Sequence, residues 1–266
     1  MAVVISSSLV IFRRPLPNPN LPRLCWQSYV NALNTSIQSG VPAHFFENLA
    51  NPATTLYAQI DTTNEFYIDV QANKLETDFV GVARHNLNPG AEIRVQIEVD
   101  GQWFNLTDWE PVGSRQAIVK LFNPAFPDKL RVRFRGQSQF VRLGVLYAGR
   151  SITLQRSIYV GHTPVTMGRQ ATRIGGLTEG GQYAGEIVRR RSLRTSVQLQ
   201  NLTPTWYRDI LDPFIGQADR NPAFWIWRPE TYPNEVAYAW LTGDPQPSNQ
   251  RSNGMMQISF DLEAIT

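Results

Sequence analysis

The sequence predicts a mainly β chain that turns to α+β in its C-terminal part. Three observations carry this. Ile93, Val95, Ile97 and Val99 alternate with Glu92, Arg94, Gln96 and Glu98, and Val132 and Phe134 alternate with Arg131, Arg133 and Arg135. That is the period-2 pattern of strands with one buried face. Turn chemistry stands at the strand ends, in Asn88-Pro89-Gly90 and Asp100-Gly101. Only one stretch, opening at Thr203-Pro204, carries a persuasive helical period. At 266 residues the chain suits one large or two ordinary domains with real cores.

Residues 1–37 form a lead segment. Its apolar run, Val3 to Phe12, precedes the charges Arg13 and Arg14, the reverse of a secretion signal, and reads as a lead-in strand. Pro15, Pro17, Pro19 and Pro22 fix φ and remove amide donors, so an extended arm follows that cannot sit in mid-sheet. It packs on a neighbouring subunit or straps the chain's own surface. Residues 38–152 are strongly β and form an antiparallel sandwich of short strands.

Residues 153–266 change texture. A loop at Gly161-His162-Thr163-Pro164 is followed by a glycine-rich turn over 175–181. That turn lacks the lysine and the spacing of a phosphate-binding loop. Alternation returns at 196–200. The helix has Thr203 as its cap and Pro204 at its first position. Trp206, Ile210 and Phe214 make its apolar stripe, and Pro213 should end or kink it near Asp212. Strands follow at 223–227, 235–241 and 256–263. One helix on a small antiparallel sheet gives a split-barrel-like unit.

The residues argue against most chemistry. Cys25 is the sole cysteine, so there is no disulfide framework, and His44, His85 and His162 stand in unrelated contexts. The formal charge is +3, with Lys74, Lys120 and Lys129 the only lysines. The densest basic cluster is Arg189, Arg190 and Arg191, with Arg194 after it. It could hold phosphate, meet carboxylates of a neighbouring subunit, or be solvated. No aromatics interleave it, so nucleic acid is the weakest of these readings. No apolar run is long enough to span a bilayer, which speaks against membrane insertion.

His85 and Asn86 end a strand without a second ligand nearby. Asn48, Asn51 and Thr54 bear oxygen but lack the carboxylates of a strong calcium site. Asp108 and Glu110 flank Trp109, the pairing a glycosidase would need, yet the stretch also reads as an ordinary strand and turn. Trp103, Trp109 and Asp108 are the candidate glycan contacts. No catalytic residue, cofactor or metal ligand is assigned.

Trp225, Trp227, Tyr232, Tyr238 and Trp240 crowd into sixteen residues. Strands apolar on both faces need both covered. Either the helix and the first domain cover them, or a second subunit does, since aromatic residues and arginine are enriched at interface centres. On the second alternative Trp225, Trp227, Arg228, Tyr232, Tyr238, Trp240, Arg190 and Arg191 form the subunit interface.

The succession from Asn48-Leu49-Ala50-Asn51-Pro52 through Phe79 to Leu87, Ile93 to Val99, Leu130 to Phe134 and Val141 to Gly149 resembles a galactose-binding-like (discoidin-type) β-sandwich, in which a His-Asn pair closes a strand. The path from Arg194 through the Trp206 helix, Asn221 to Pro229, the Tyr232-Pro233-Asn234-Glu235-Val236 turn and the last strand resembles the distal tail protein class of long-tailed phages and prophages. There a sheet-plus-helix unit forms a ring at the end of the tail tube.

This resemblance implies a non-catalytic virion protein, assembled in the host cytoplasm and placed at the tail tip. It implies a ring, hexameric in the family, built by residues 153–266 with the N-terminal strand added. Its partners would be tail-tube and tail-tip hub proteins, and its sandwich would be free to touch host-surface glycan. The alternative is a free carbohydrate-binding protein resting on Trp103 and Trp109. A glycan-active enzyme resting on Asp108 and Glu110 comes third.

Overall fold

The computed structural model describes residues 3–5, 18–62, 64–113, 116–137, 140–158, 161–218, 220–250 and 252–265. In the first half the strands are β1 (Val3–Ile5), β2 (Arg23–Ser28), β3 (Thr35–Ile37), β4 (Ala43–His44), β5 (Ala58–Ile60), β6 (Phe66–Gln71) and β7 (Thr77–His85). They continue as β8 (Glu92–Val99), β9 (Gln102–Asn105), β10 (Glu110–Pro111), β11 (Ile118–Ala125), β12 (Lys129–Arg135) and β13 (Val141–Thr153). The second half adds β14 (Arg169–Leu177), β15 (Tyr183–Leu202), β16 (Ala223–Ile226), β17 (Val236–Leu241), β18 (Ser248–Asn249) and β19 (Met256–Ile265).

Among the described residues the strands form two sheets. The smaller runs β10-β8-β12-β6-β3, with β9 beside β8. The larger runs β1-β11-β7-β13-β2-β16-β17-β19-β15-β14 and so passes through both halves of the chain. The alternation read in β8 and β12 puts Ile93, Val95, Ile97, Leu130, Val132 and Phe134 into the sandwich core. There they meet Val80, Val82, Ile118, Leu146 and Ala148 from the larger sheet, and Phe66 stacks on Phe134 at 5.1 Å. The fold is mainly β, as the sequence predicts, and its two sheets are consistent with a galactose-binding-like sandwich.

The larger sheet curls. Phe79, Val119, Leu121, Val145 and Tyr147 point away from the sandwich core and pack on Phe224, Ile226, Val236 and Tyr238. This is why β7 is buried along almost its whole length. Gly81 is required here, because a Cβ at that position would lie 2.5 Å from the Phe224 ring. On the opposite face of β16 and β17, Trp225, Ala237 and Ala239 join Val197, Leu199, Phe260 and Leu262 in a third core, under the helical stretch.

That stretch departs from the sequence reading. It opens as α1 (Pro204–Trp206), continues through a π-type turn over Tyr207–Leu211 and ends as α2 (Asp212–Ile215). Pro213 therefore does not stop it. A proline removes one amide donor and crowds the carbonyl four residues back, and the wider π turn just before it relieves both demands. The fully buried stripe is Tyr207, Leu211 and Phe214, and Trp206 and Ile210 lie half-buried against the same core. The Thr203 hydroxyl makes no cap bond. It accepts instead from Gln155 Nε2 at 2.9 Å.

The lead segment departs as well. β1 pairs in parallel with β11, Val3 opposite Val119, so the N-terminal strand joins the sandwich and does not complete the C-terminal unit. β2 is the strand that links the halves, pairing with β13 on one side and β16 on the other. It comes after the last proline, so its amides are free for the ladder. Pro15 and Pro17 lie outside the described residues. Just before β2, Asn20 donates to Glu230 Oε2 at 2.9 Å and accepts from the Thr231 hydroxyl at 2.8 Å, fastening this end of the arm to its own chain.

Candidate functional site

The outer face of the smaller sheet carries the predicted glycan contacts. Arg131 lies between two rings, its Cζ 3.7 Å from the Tyr67 centroid and 3.9 Å from that of Trp103. Asp69 fixes it with two bonds, from Nε at 2.6 Å and Nη2 at 2.8 Å, and that carboxylate raises the guanidinium pKa. Trp109 is covered in the same way, by Arg135 at 4.3 Å and Arg94 at 4.7 Å. Arg133 and Arg135 pair in turn with Glu65 and Glu92. The face is an aromatic and guanidinium platform whose charges are balanced across strands. A sugar ring could stack only on an indole surface that arginine leaves free. Asp108 is exposed beside it.

The carboxylate pair fails as acid–base machinery. Glu110 accepts a 2.8 Å bond from Lys120 Nζ, and Lys120 is wholly buried. Desolvation lowers the lysine's pKa while Glu110 opposes the shift. A carboxylate needed to neutralise a buried ammonium is poorly placed to move protons.

The histidines stay apart. His85 Nε2 lies 2.8 Å from the Gln116 carbonyl. His162 Nδ1 lies 3.1 Å from the Ser196 carbonyl, and burial lowers its pKa. His44 sits 3.1 Å from Asp61. Among the described residues no three of His, Cys, Asp and Glu gather as metal ligands would. Asn48 donates to the Tyr57 carbonyl and Asn51 accepts from the Ala53 amide, so both serve the local turn. Cys25 is fully buried and its thiol pKa is pushed up by desolvation.

The crowded aromatics divide. Trp225 and Tyr238 are 0 % exposed within the single chain, so no second subunit can reach them, and the intramolecular alternative holds for these two. Tyr238 is tied down through Tyr147 at 3.2 Å and the Pro52 carbonyl at 3.1 Å. Trp227 and Tyr232 are stacked, centroids 5.4 Å apart, with Arg228 beside Trp227 at 5.3 Å. They reach the surface, and Trp240 is half-buried. Arg190 and Arg194 pair with Glu263 and Asp261 of β19, so their partners lie in their own chain. Arg191 is exposed.

A surface of which the sequence reading named only the arginines at 189–191 is the hairpin of β14 and the first half of β15. It stands beyond the cores, its strands paired from Arg169↔Leu193 to Leu177↔Tyr183. Ile174, Leu177, Tyr183 and Ile187 are 55–75 % exposed, and β14 is an outer edge of the large sheet. The glycine-rich turn masked this, because Gly175 and Gly176 belong to a strand. The available signal was an apolar residue on each side of that turn, Leu177 and Tyr183.

No family model matches the sequence, and no curated protein matches it. Among solved structures the chain is similar to a pectin-binding carbohydrate-binding module, at 11 % identity and a TM-score of 0.37, over 47 % of this chain and 92 % of that one. It is similar to CpGH89CBM32-6 from Clostridium perfringens at 14 % and 0.37, over 47 % and 99 %. The CBM32 of AlyQ, in complex with 4,5-unsaturated mannuronic acid, gives 9 % and 0.36, over 47 % and 96 %.

Proposed function

We propose that this chain is a non-catalytic structural subunit of a phage tail tip, assembling with copies of itself into a ring that joins the tail tube to hub proteins. The observation that supports it is the β14–β15 hairpin. Four large apolar side chains there are at least half exposed, on an edge whose ladder groups face no further strand among the described residues. A soluble monomer rarely leaves such an edge bare, and a second copy laid along it would cover the side chains and extend the ladder together. Closed rings need this kind of head-to-tail contact. Light-scattering mass and negative-stain imaging test it. The wild type should give a closed ring, and Leu177→Glu with Ile187→Glu should give folded monomers. A wild type that stays monomeric both in solution and on assembled particles refutes it.

A free carbohydrate-binding protein is the second reading, supported by the platform of Tyr67, Trp103 and Trp109. Trp103→Ala with Trp109→Ala should then abolish binding on a glycan array while the thermal transition persists. Unchanged binding removes it.

A further inference from the structure

Between the base of the hairpin and the end of β7 lies a cleft of about 570 Å³, within the size range of small-ligand sites. Arg84, Arg169, Arg173 and Arg191 line it, with Leu193 and Ile265 among its apolar residues. The backbone converges these arginines. Arg169 and Arg191 are diagonal neighbours on one face of the hairpin, since Arg169 pairs with Leu193 and Ala171 with Arg191. The register then slips, Thr172 opposite Arg190 but Arg173 opposite Val188, leaving Arg189 as a bulge. Without the slip Arg173 would face Arg189, a like-charge pair that costs stability. With it, Val188 stands opposite Arg173, which the alternation of β14 keeps on the face of Arg169 and Arg191. Arg84 comes from the other side of the cleft, on a backbone with φ of 53°, a region that residues other than glycine seldom occupy.

Of the four, Arg173 has a counter-charge, Glu186 at 3.2 Å. Among the described residues no carboxylate pairs with Arg84, Arg169 or Arg191. The neighbouring arginines outside the cleft behave differently, Arg190 and Arg194 each holding an acid of β19. Guanidinium does not lose its proton in proteins, so this cleft concentrates like charge beside an apolar surface. An anion would relieve that repulsion, and the planar forks suit phosphate or carboxylate oxygens two at a time.

We infer that the cleft bounded by Arg84, Arg169, Arg173 and Arg191 binds a small organic oxyanion carrying at least two negative charges. The chemistry is shared by phosphate esters and polycarboxylates. This site is independent of the ring reading, since a monomer contains all of it.

Isothermal titration of the full chain with pyrophosphate and with citrate, at low ionic strength, tests this. At least one should bind saturably near one per chain and weaken as salt rises. Pyrophosphate alone points to a phosphate ester, citrate alone to a polycarboxylate. Arg84→Ala and Arg191→Ala should each weaken binding ~10-fold or more, while Arg189→Ala, which removes the same charge outside the cleft, should stay within about 2-fold. Arg84→Lys and Arg191→Lys carry the same test if alanine unfolds the protein, since they keep the charge but lose the two-pronged bond. Absence of saturable binding by both anions overturns the inference, and so does an equal loss in Arg189→Ala.

Discussion

Asp78 gives the most informative perturbation. It sits at the junction of the two halves, on β7, and is 6 % exposed. Its carboxylate accepts from the Ser151 amide at 2.6 Å and the Ser151 hydroxyl at 2.8 Å, and Arg23 of β2 donates to that same hydroxyl oxygen at 3.1 Å. Desolvation raises its pKa from 3.8 to about 6 against the pull of these bonds and of Arg23. The folded protein therefore binds a proton more readily than the unfolded chain, and stability is greatest below pH 3.8 as far as this group is concerned. It declines through the window up to about pH 6 and is flat above. At 1.36 kcal/mol for each pH unit the span is ~3 kcal/mol. Asp78→Asn keeps an acceptor for Ser151 and removes the titration. Urea unfolding from pH 4 to pH 7.5 should show the wild type losing stability relative to the variant across that window. Parallel curves for the two proteins would refute the assignment, because Glu235, whose pKa burial also raises, is present in both.

Three further perturbations follow from the packing. Gly81→Ala pushes a methyl into the Phe224 ring and should cost about 1–3 kcal/mol in chemical denaturation. Phe224→Leu added to it should recover part of that loss, as a double-mutant cycle would show. Glu110→Gln leaves the Lys120 ammonium buried without its partner and should cost about 3–5 kcal/mol, whereas Lys120→Met with Glu110→Leu should be far milder on the same assay. A cycle of Arg131→Ala and Trp103→Ala should give a coupling of about 1 kcal/mol by thermal unfolding.

Much of the fold was legible because strand periodicity is a local signal. The alternation of residues 92–99 and 129–135 located β8 and β12 and their buried faces. The apolar character of residues 223–227 and 235–241 announced strands covered on both sides. What covered them was not legible, since Trp225 and Tyr238 read equally well as interface or core. The hairpin was missed because glycines at 175, 176, 180 and 181 read as a turn, although the first two extend a strand. The cleft was missed because its arginines come from positions 84, 169, 173 and 191, brought together by strand order and register that no local pattern records.

By itself the sequence determined the β class, the alternating faces, the proline-rich lead and the position of the helical stretch that opens at Pro204. Each of these follows from the side chain's own period or from a φ that proline fixes. Tertiary structure decided the rest. It made β2 the strand that fuses both halves into one sheet. It curled that sheet so that Phe224 closes over Gly81, and it accommodated Pro213 through a π turn. It also committed Glu110 to Lys120 and Arg131 to Trp103, and it left Arg84, Arg169 and Arg191 facing one cleft. Pairings between residues far apart in the chain depend on which strand lies beside which, and that order is fixed by the burial of all three cores together.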